Sequence, residues 1–147
     1  MPTVKLPSPP ATSNPNIVGF TVGPDGAIRD APAKFHAHRN DFVIWLIGNT
    51  SGQKIAVSLS DFLRKDSDSD LKGQADDPVD NAFSWLVSNT VELEDGEARF
   101  IAARRDPAFQ IRGLFHDAVS YTIQVRSLAN QNPFPTVTYD PDGDIKP

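Results

Sequence analysis

Apolar and polar positions are patterned most clearly in residues 34–59, which also contain two closely spaced histidines. Residues 42–47 are apolar at every position, which is typical of a strand that lies mid-sheet and is covered on both faces. Residues 54–59 alternate strictly between polar and apolar side chains, and this pattern predicts a strand with one face toward water. Residues 39–41 predict the tight turn that precedes the first of these two strands.

Shorter segments of the same kind recur along the chain. Residues 16–22 predict a first strand, and apolar alternation returns at 83–93, 98–103, 109–112, 121–126 and 136–139. An acidic turn that contains Asp95-Gly96 predicts a hairpin between the segments on either side of it. Eight or nine short strands at regular spacing, with no helical periodicity, predict an antiparallel sandwich or barrel.

Three segments lack this pattern. Residues 1–15 hold five prolines and predict a flexible Pro-rich arm, either a free tail or an arm that docks on another subunit. Residues 61–80 carry seven aspartates and predict an acidic loop with at most a short helix. We therefore expect one β-sandwich domain over residues 16–139, followed by an acidic C-terminal tail at 140–147.

Composition narrows the function of this 147-residue chain. A formal net charge of −5 disfavours nucleic acid and anionic membranes, because both would repel it, and no apolar run is long enough to span a bilayer. The absence of cysteine excludes disulfides, thiolate nucleophiles and iron–sulfur clusters. The N-terminal residues lack an apolar signal segment, so we expect a cytoplasmic protein if Met1 is native and an exported one if a signal peptide was removed.

Three motifs, in this order, resemble the cupredoxin-like β-sandwich family. They are Asn40-Asp41-Phe42-Val43-Ile44-Trp45 with Gly48-Asn49 after it, Glu94-Asp95-Gly96-Glu97-Ala98-Arg99-Phe100, and Tyr121-Thr122-Ile123-Gln124-Val125. The match spans most of residues 16–126. The resemblance implies a Greek-key sandwich.

The same resemblance implies where a blue-copper site would lie. At two of the positions where such proteins have their ligands this chain has Gln53 or Lys54, and Ile111, and its only methionine is Met1. A type 1 copper site requires a thiolate, and the chain has none. The sequence therefore predicts a copper-free member of the fold, without a type 1 site.

The histidines suggest a different metal site. His36 and His38 lie two residues apart, so on a strand both imidazoles would share one face, and His116 could add a third ligand from a loop. Copper or zinc suits such a set. The alternative is that all three are ordinary surface residues.

An acidic segment suggests calcium. Asp66, Asp68 and Asp70 have the spacing of the first three ligands of a calcium loop, and Asp77 stands at the twelfth position. However, Leu71 stands where such a loop needs glycine, and the twelfth ligand is normally glutamate. The alternative is a solvated acidic loop.

Catalytic motifs are absent from the sequence. It contains no Gly-rich phosphate loop, no Gly-x-Ser-x-Gly and no His-Glu-x-x-His. We therefore expect a non-enzymatic binding or assembly module that binds a protein partner or self-associates, with the histidine-based metal site as the alternative. The candidate contact residues are aromatic: Phe35, Phe83, Trp85, Phe109, Phe115 and Phe134. Trp45 is expected in the core, whereas Phe134, between two prolines, is the aromatic side chain expected to be exposed for partner binding.

Overall fold

The computed structural model describes residues 16–30, 34–65 and 78–147, and these residues form eleven strands and two short 3-10 turns. The strands are β1 (Ile17–Val22), β2 (Ile28–Arg29), β3 (Phe35–Ala37), β4 (Phe42–Asn49), β5 (Ile55–Arg64), β6 (Phe83–Trp85), β7 (Thr90–Leu93), β8 (Ala98–Arg105), β9 (Asp117–Ser127), β10 (Val137–Tyr139) and β11 (Asp142–Ile145). Within these ranges, no helix is long and apolar enough to cross a membrane.

The strands form two sheets that pack as a sandwich. Sheet A has the order β2-β1-β4-β8-β6, and sheet B has the order β3-β11-β9-β5-β7, with β10 also paired to β9. The all-β sandwich predicted from the sequence is confirmed. Each sheet also contains one parallel pair, β1 with β4 and β3 with β11, so the sheets are mixed.

The core between the sheets is aromatic. Phe35, Trp45, Phe62 and Tyr121 are fully buried, and the rings of Phe62 and Tyr121 stack with their centroids 5.1 Å apart. The indole Nε1–H of Trp45 donates a hydrogen bond to the Tyr121 hydroxyl at 3.0 Å, which joins sheet A to sheet B. Trp45 is therefore a core residue, as predicted.

Strand β4 is covered on one face only. Val43, Trp45 and Ile47 point into the core, whereas Phe42 and Leu46 point away from it and are exposed. The predicted burial of residues 42–47 on both faces is wrong. The outward residues are apolar, but no other described part of the chain covers them. An apolar composition therefore does not show that both faces of a strand are buried.

The C-terminal residues belong to the sandwich. Strand β11 lies between β9 and β3, and Gly143, Asp144 and Ile145 are buried. The predicted boundary at residue 139 and the acidic tail at 140–147 are therefore wrong. A glycine is needed at position 143 because the Phe35 ring lies where a Cβ would be. Close packing of this kind produces no alternation of apolar residues, so the sequence pattern did not predict the strand.

Two predicted element boundaries also differ from the structure. Strand β5 continues to Arg64 through an irregularity between Ser60 and Leu63, so the acidic segment begins later than predicted. Residues 109–112 form a loop rather than a strand, although Phe109 and Ile111 pack against the core.

The turn after β7 carries the chain from one sheet to the other. Strand β7 pairs with β5 in sheet B and β8 pairs with β4 in sheet A, so the Asp95-Gly96 turn does not make the predicted hairpin. The buried side chain of Asn49, at the end of β4, holds this crossing: its amide Nδ2 lies 3.2 Å from the Leu93 carbonyl and 3.1 Å from the Glu94 carbonyl. The Asn49 backbone N–H also donates to the Glu97 carbonyl.

Removing the Asn49 amide should weaken the whole sandwich. Asn49→Ala leaves the buried carbonyl of Leu93 without this donor, and we expect the free energy of unfolding to fall by about 1–3 kcal/mol. Urea unfolding of the variant measures this change. The exposed Asn130 provides the control: Asn130→Ala should change stability by less than about 0.5 kcal/mol, and an equal effect of both variants would contradict the role of Asn49.

The position of β11 can be tested by substituting two glycines in turn. Gly143→Ala places a methyl group in the space of the Phe35 ring and should cost about 1–3 kcal/mol through overpacking. Gly19→Ala on β1 is the matched control, because a Cβ there meets no atom within 4 Å. Equal unfolding midpoints for the two variants would show that β11 is not packed in the sandwich.

Candidate interaction surface

The face of sheet A that points away from the core is largely apolar; we call it the outer face. Alternation along β1 and β4, with the register of Phe100 opposite Leu46, places Ile17, Phe42, Leu46 and Phe100 on this face. Phe100 is 63% exposed and Phe42 is 50% exposed. Exposed apolar side chains gathered on one sheet face are typical of a surface that another protein covers.

The strand register brings these residues together in rows. Two of the rows that cross the outer face are Gly19–Leu46–Phe100 and Ile17–Ile44–Ala102. In the first row the large side chain is on β8 and the glycine is on β1. In the second row the large side chain is on β1 and the alanine is on β8, so small and large residues exchange sides from one row to the next.

A shallow hollow of about 340 Å³ lies beside these rows. Gly19, Gly48 and Ala98 contribute to it because they carry little or no side chain, and Leu46 and Asp30 also line it. At Gly19 a Cβ would meet no atom within 4 Å, so the space above the strand is open. The outer face therefore carries projecting phenylalanines and a depression at neighbouring positions.

A second concavity, of about 380 Å³, lies at the edge of the same sheet. It runs between β7 of sheet B and the first half of β8, and the segment after β6 closes one side with Leu86 and Val87. Val87 is 97% exposed. We call this concavity the edge cleft.

Two of the three candidate metal-binding histidines converge on a single carboxylate. The Nδ1 atoms of His36 and His116 lie 3.3 and 3.0 Å from the oxygens of Asp144, and Lys34 Nζ lies 3.4 Å from the same group. We call these four residues the Asp144 cluster. The His36 contact is not a hydrogen bond, because its Nδ1 has no partner in suitable geometry.

Burial has the largest effect on the pKa of His36. Its pKa is lowered from the ordinary value, first by burial and then by the charges of Lys146 and Lys34, while Asp144 opposes this shift. Neutral His36 is therefore favoured in the folded protein. His38 is exposed and lies just beyond the end of β3.

The predicted ion sites have different outcomes. Across the described ranges, no group of three His, Cys, Asp or Glu side chains is placed to hold a metal ion, so His36, His38 and His116 do not form the predicted set there. Asp144 instead accepts the contacts of His36 and His116. The calcium prediction, on Asp66, Asp68, Asp70 and Asp77, lies outside the described residues.

The predicted aromatic contact residue is buried. Phe134 is only 8% exposed, and its ring packs over Gly26, where a Cβ would lie 2.5 Å from the ring. The prediction that Phe134 is exposed for partner binding is therefore wrong. Phe35 and Phe83 are also buried, whereas Phe115 is exposed, as are Phe42 and Phe100, which the sequence did not single out.

Comparisons with known proteins do not name a family. No family model and no curated protein matches the chain. A chaperone–tip adhesion subunit pre-assembly complex, CsuC–CsuE of Acinetobacter baumannii, is similar at 13% identity over 76% of this chain and 47% of that chain, with a TM-score of 0.48. The present chain thus spans about half the length of the chain that it matches in that complex.

Two further solved structures are similar at the same level. The PapD-like domain 7 of human CEP192 shares 13% identity over 99% of this chain and 96% of that chain, with a TM-score of 0.46. The E. coli chaperone DraB shares 11% identity over 89% and 56%, with a TM-score of 0.48. Similarity this distant assigns no function to the chain, and the cupredoxin resemblance stays a prediction.

A pH titration tests the state of His36. Its pKa lies below 6.5 in the folded protein, so the unfolded chain binds the proton more readily, and stability should fall as the pH drops through that value. We expect His36→Asn to lose less stability than the wild type between about pH 7.5 and about pH 5.5. Thermal unfolding measures this difference, and the exposed His38→Asn is the control. If His36→Asn and the wild type show the same pH dependence, the account of His36 is wrong.

Proposed function

We propose that this protein is a non-enzymatic assembly module whose copies pair through the outer face of sheet A. The observation that carries the proposal is the apolar outer face itself, on which Phe42 and Phe100 are at least half exposed. Leaving such a surface in water is unfavourable, at roughly 25 cal/mol for each Å² of apolar area. A partner that covers it recovers this free energy.

A second copy fits this face because its pattern is self-complementary. Face-to-face packing of two sheets requires apolar residues that interdigitate across about 10 Å. A two-fold axis along β4 at Leu46 places each β8 over the partner's β1, so that Phe100 meets the partner's Gly19. The same axis brings Ile17 over the partner's Ala102, which matches large to small in both rows.

The hollow next to Gly19 gives Phe100 a place to insert. Its volume is about 340 Å³, and Gly19 leaves it open because no other atom occupies the space of a Cβ. A two-fold pair uses such a projection and depression twice, once from each copy. This repeated contact is what favours a second copy over an unrelated apolar partner.

Filling the hollow should abolish pairing without harming the fold. A Cβ at position 19 meets no atom within 4 Å, and a β-branched residue suits a strand, so folding stability of Gly19→Val should stay equal or rise by up to about 1 kcal/mol. Sedimentation velocity over a concentration series should show a wild-type dimer and a monomeric variant. Phe100→Ser, which removes the projection, should also be monomeric.

The control for both variants is Leu114→Ser, which removes an exposed side chain, 84% accessible, from a loop away from the outer face. It should dimerise like the wild type. A wild type that stays monomeric at high concentration would refute self-assembly. A Gly19→Val variant that dimerises more tightly would show that association is hydrophobic without the proposed fit.

A further inference from the structure

Within the described residues, part of one edge of sheet A has backbone groups without a strand partner. Arg105 N–H donates to the Asp41 carbonyl at 2.7 Å, on the β4 side, and Leu86 N–H donates to the Ala102 carbonyl at 3.0 Å, on the opposite side. Because backbone groups alternate in direction along an antiparallel strand, those of Ala98 and Phe100 also point away from β4. Among the strands of the described residues, β6 pairs with that edge only from Ala103 to Arg105.

The open edge follows from the way the chain crosses between sheets. A hairpin at the Asp95-Gly96 turn would have laid β7 along the first half of β8. Instead β7 pairs with β5 in sheet B, so the backbone hydrogen bonds of β7 are made to β5 and not to β8. An unpaired strand edge of this kind is a template for another strand.

The edge cleft lies directly beside these backbone groups. Leu86, Val87 and Val91 form its apolar wall, opposite Phe100 and Ile101 of β8. An added strand presents alternate side chains to its two faces, so every second residue would contact this wall. The cleft therefore selects apolar side chains at alternating positions.

We propose that the edge of β8 at Ala98 and Phe100 binds an extended segment of a partner protein as an added strand, with apolar residues at alternating positions. Backbone hydrogen bonds supply affinity in this mode, and the cleft supplies selectivity. The site is distinct from the proposed pairing, because strand addition uses groups in the plane of sheet A, whereas pairing uses its outer face.

A displayed library of random peptides of about eight residues tests the proposal with the full-length protein. The library is selected in parallel on the wild type and on Gly19→Val, in which pairing is removed and the edge is intact. Both should enrich peptides with apolar residues at every second position. The best peptide should slow amide exchange at Ala98 and Phe100 by about tenfold or more, whereas Arg99 and Ile101 already face β4.

Two variants block the site in different ways, both in the Gly19→Val background. Ala98→Pro removes an outward N–H at the first residue of a strand, where proline is tolerated, and Val87→Asp places a charge in the apolar wall. Each should weaken binding of the selected peptide by about tenfold or more. Val87→Asp lies off the outer face, so in the wild-type background it should leave dimerisation unchanged.

The outcomes separate the two proposals. Peptide binding to a wild type that proves monomeric would support the strand site and refute only pairing. Failure to enrich alternating peptides would overturn the strand site whatever the oligomeric state. Equal binding by Val87→Asp, or exchange protection elsewhere than at Ala98 and Phe100, would overturn it as well.

Discussion

The buried amide of Asn49 is the interaction on which the crossing between the two sheets, and with it the open edge of β8, depends. It joins the end of β4 to the Leu93 and Glu94 carbonyls at the end of β7, so that the chain leaves sheet B and enters sheet A at the next turn. Strand β8 then pairs with β4 on one side only over its first half. The open edge of β8 therefore follows from the crossing that these hydrogen bonds hold.

Periodicity predicted where the strands lie better than it predicted which of their faces are buried. The alternation of residues 54–59 and 121–126 identified β5 and β9. One face of each strand packs on the core, and this burial is what produces the alternating apolar positions. Residues 42–47 misled the prediction, since the sequence does not distinguish an apolar residue on an exposed face from one that faces the core. The Asp95-Gly96 turn was predicted, but a turn motif does not state which strands it joins.

The polar residues were harder to place from the sequence. Asp144 is buried because Lys34, His36 and His116 surround it, and no spacing rule relates these positions. Gly143 lies against Phe35, from which it is separated by more than a hundred residues of sequence. Phe134 was expected in solvent on account of its flanking prolines, yet the glycine at 26 leaves space for its ring. The outer face could have been suspected from the apolar positions of β4 that a single core cannot bury.

A charge exchange at the proposed two-fold axis tests the central claim most directly. Leu46→Glu and Leu46→Lys would each place like charges against each other in a pair, so each variant alone should be monomeric. An equimolar mixture should form a one-to-one dimer in native mass spectrometry, because opposite charges then meet. If the mixture stays monomeric under conditions in which the wild type dimerises, or if each variant dimerises alone, Leu46 does not lie on the axis and the proposed assembly is wrong.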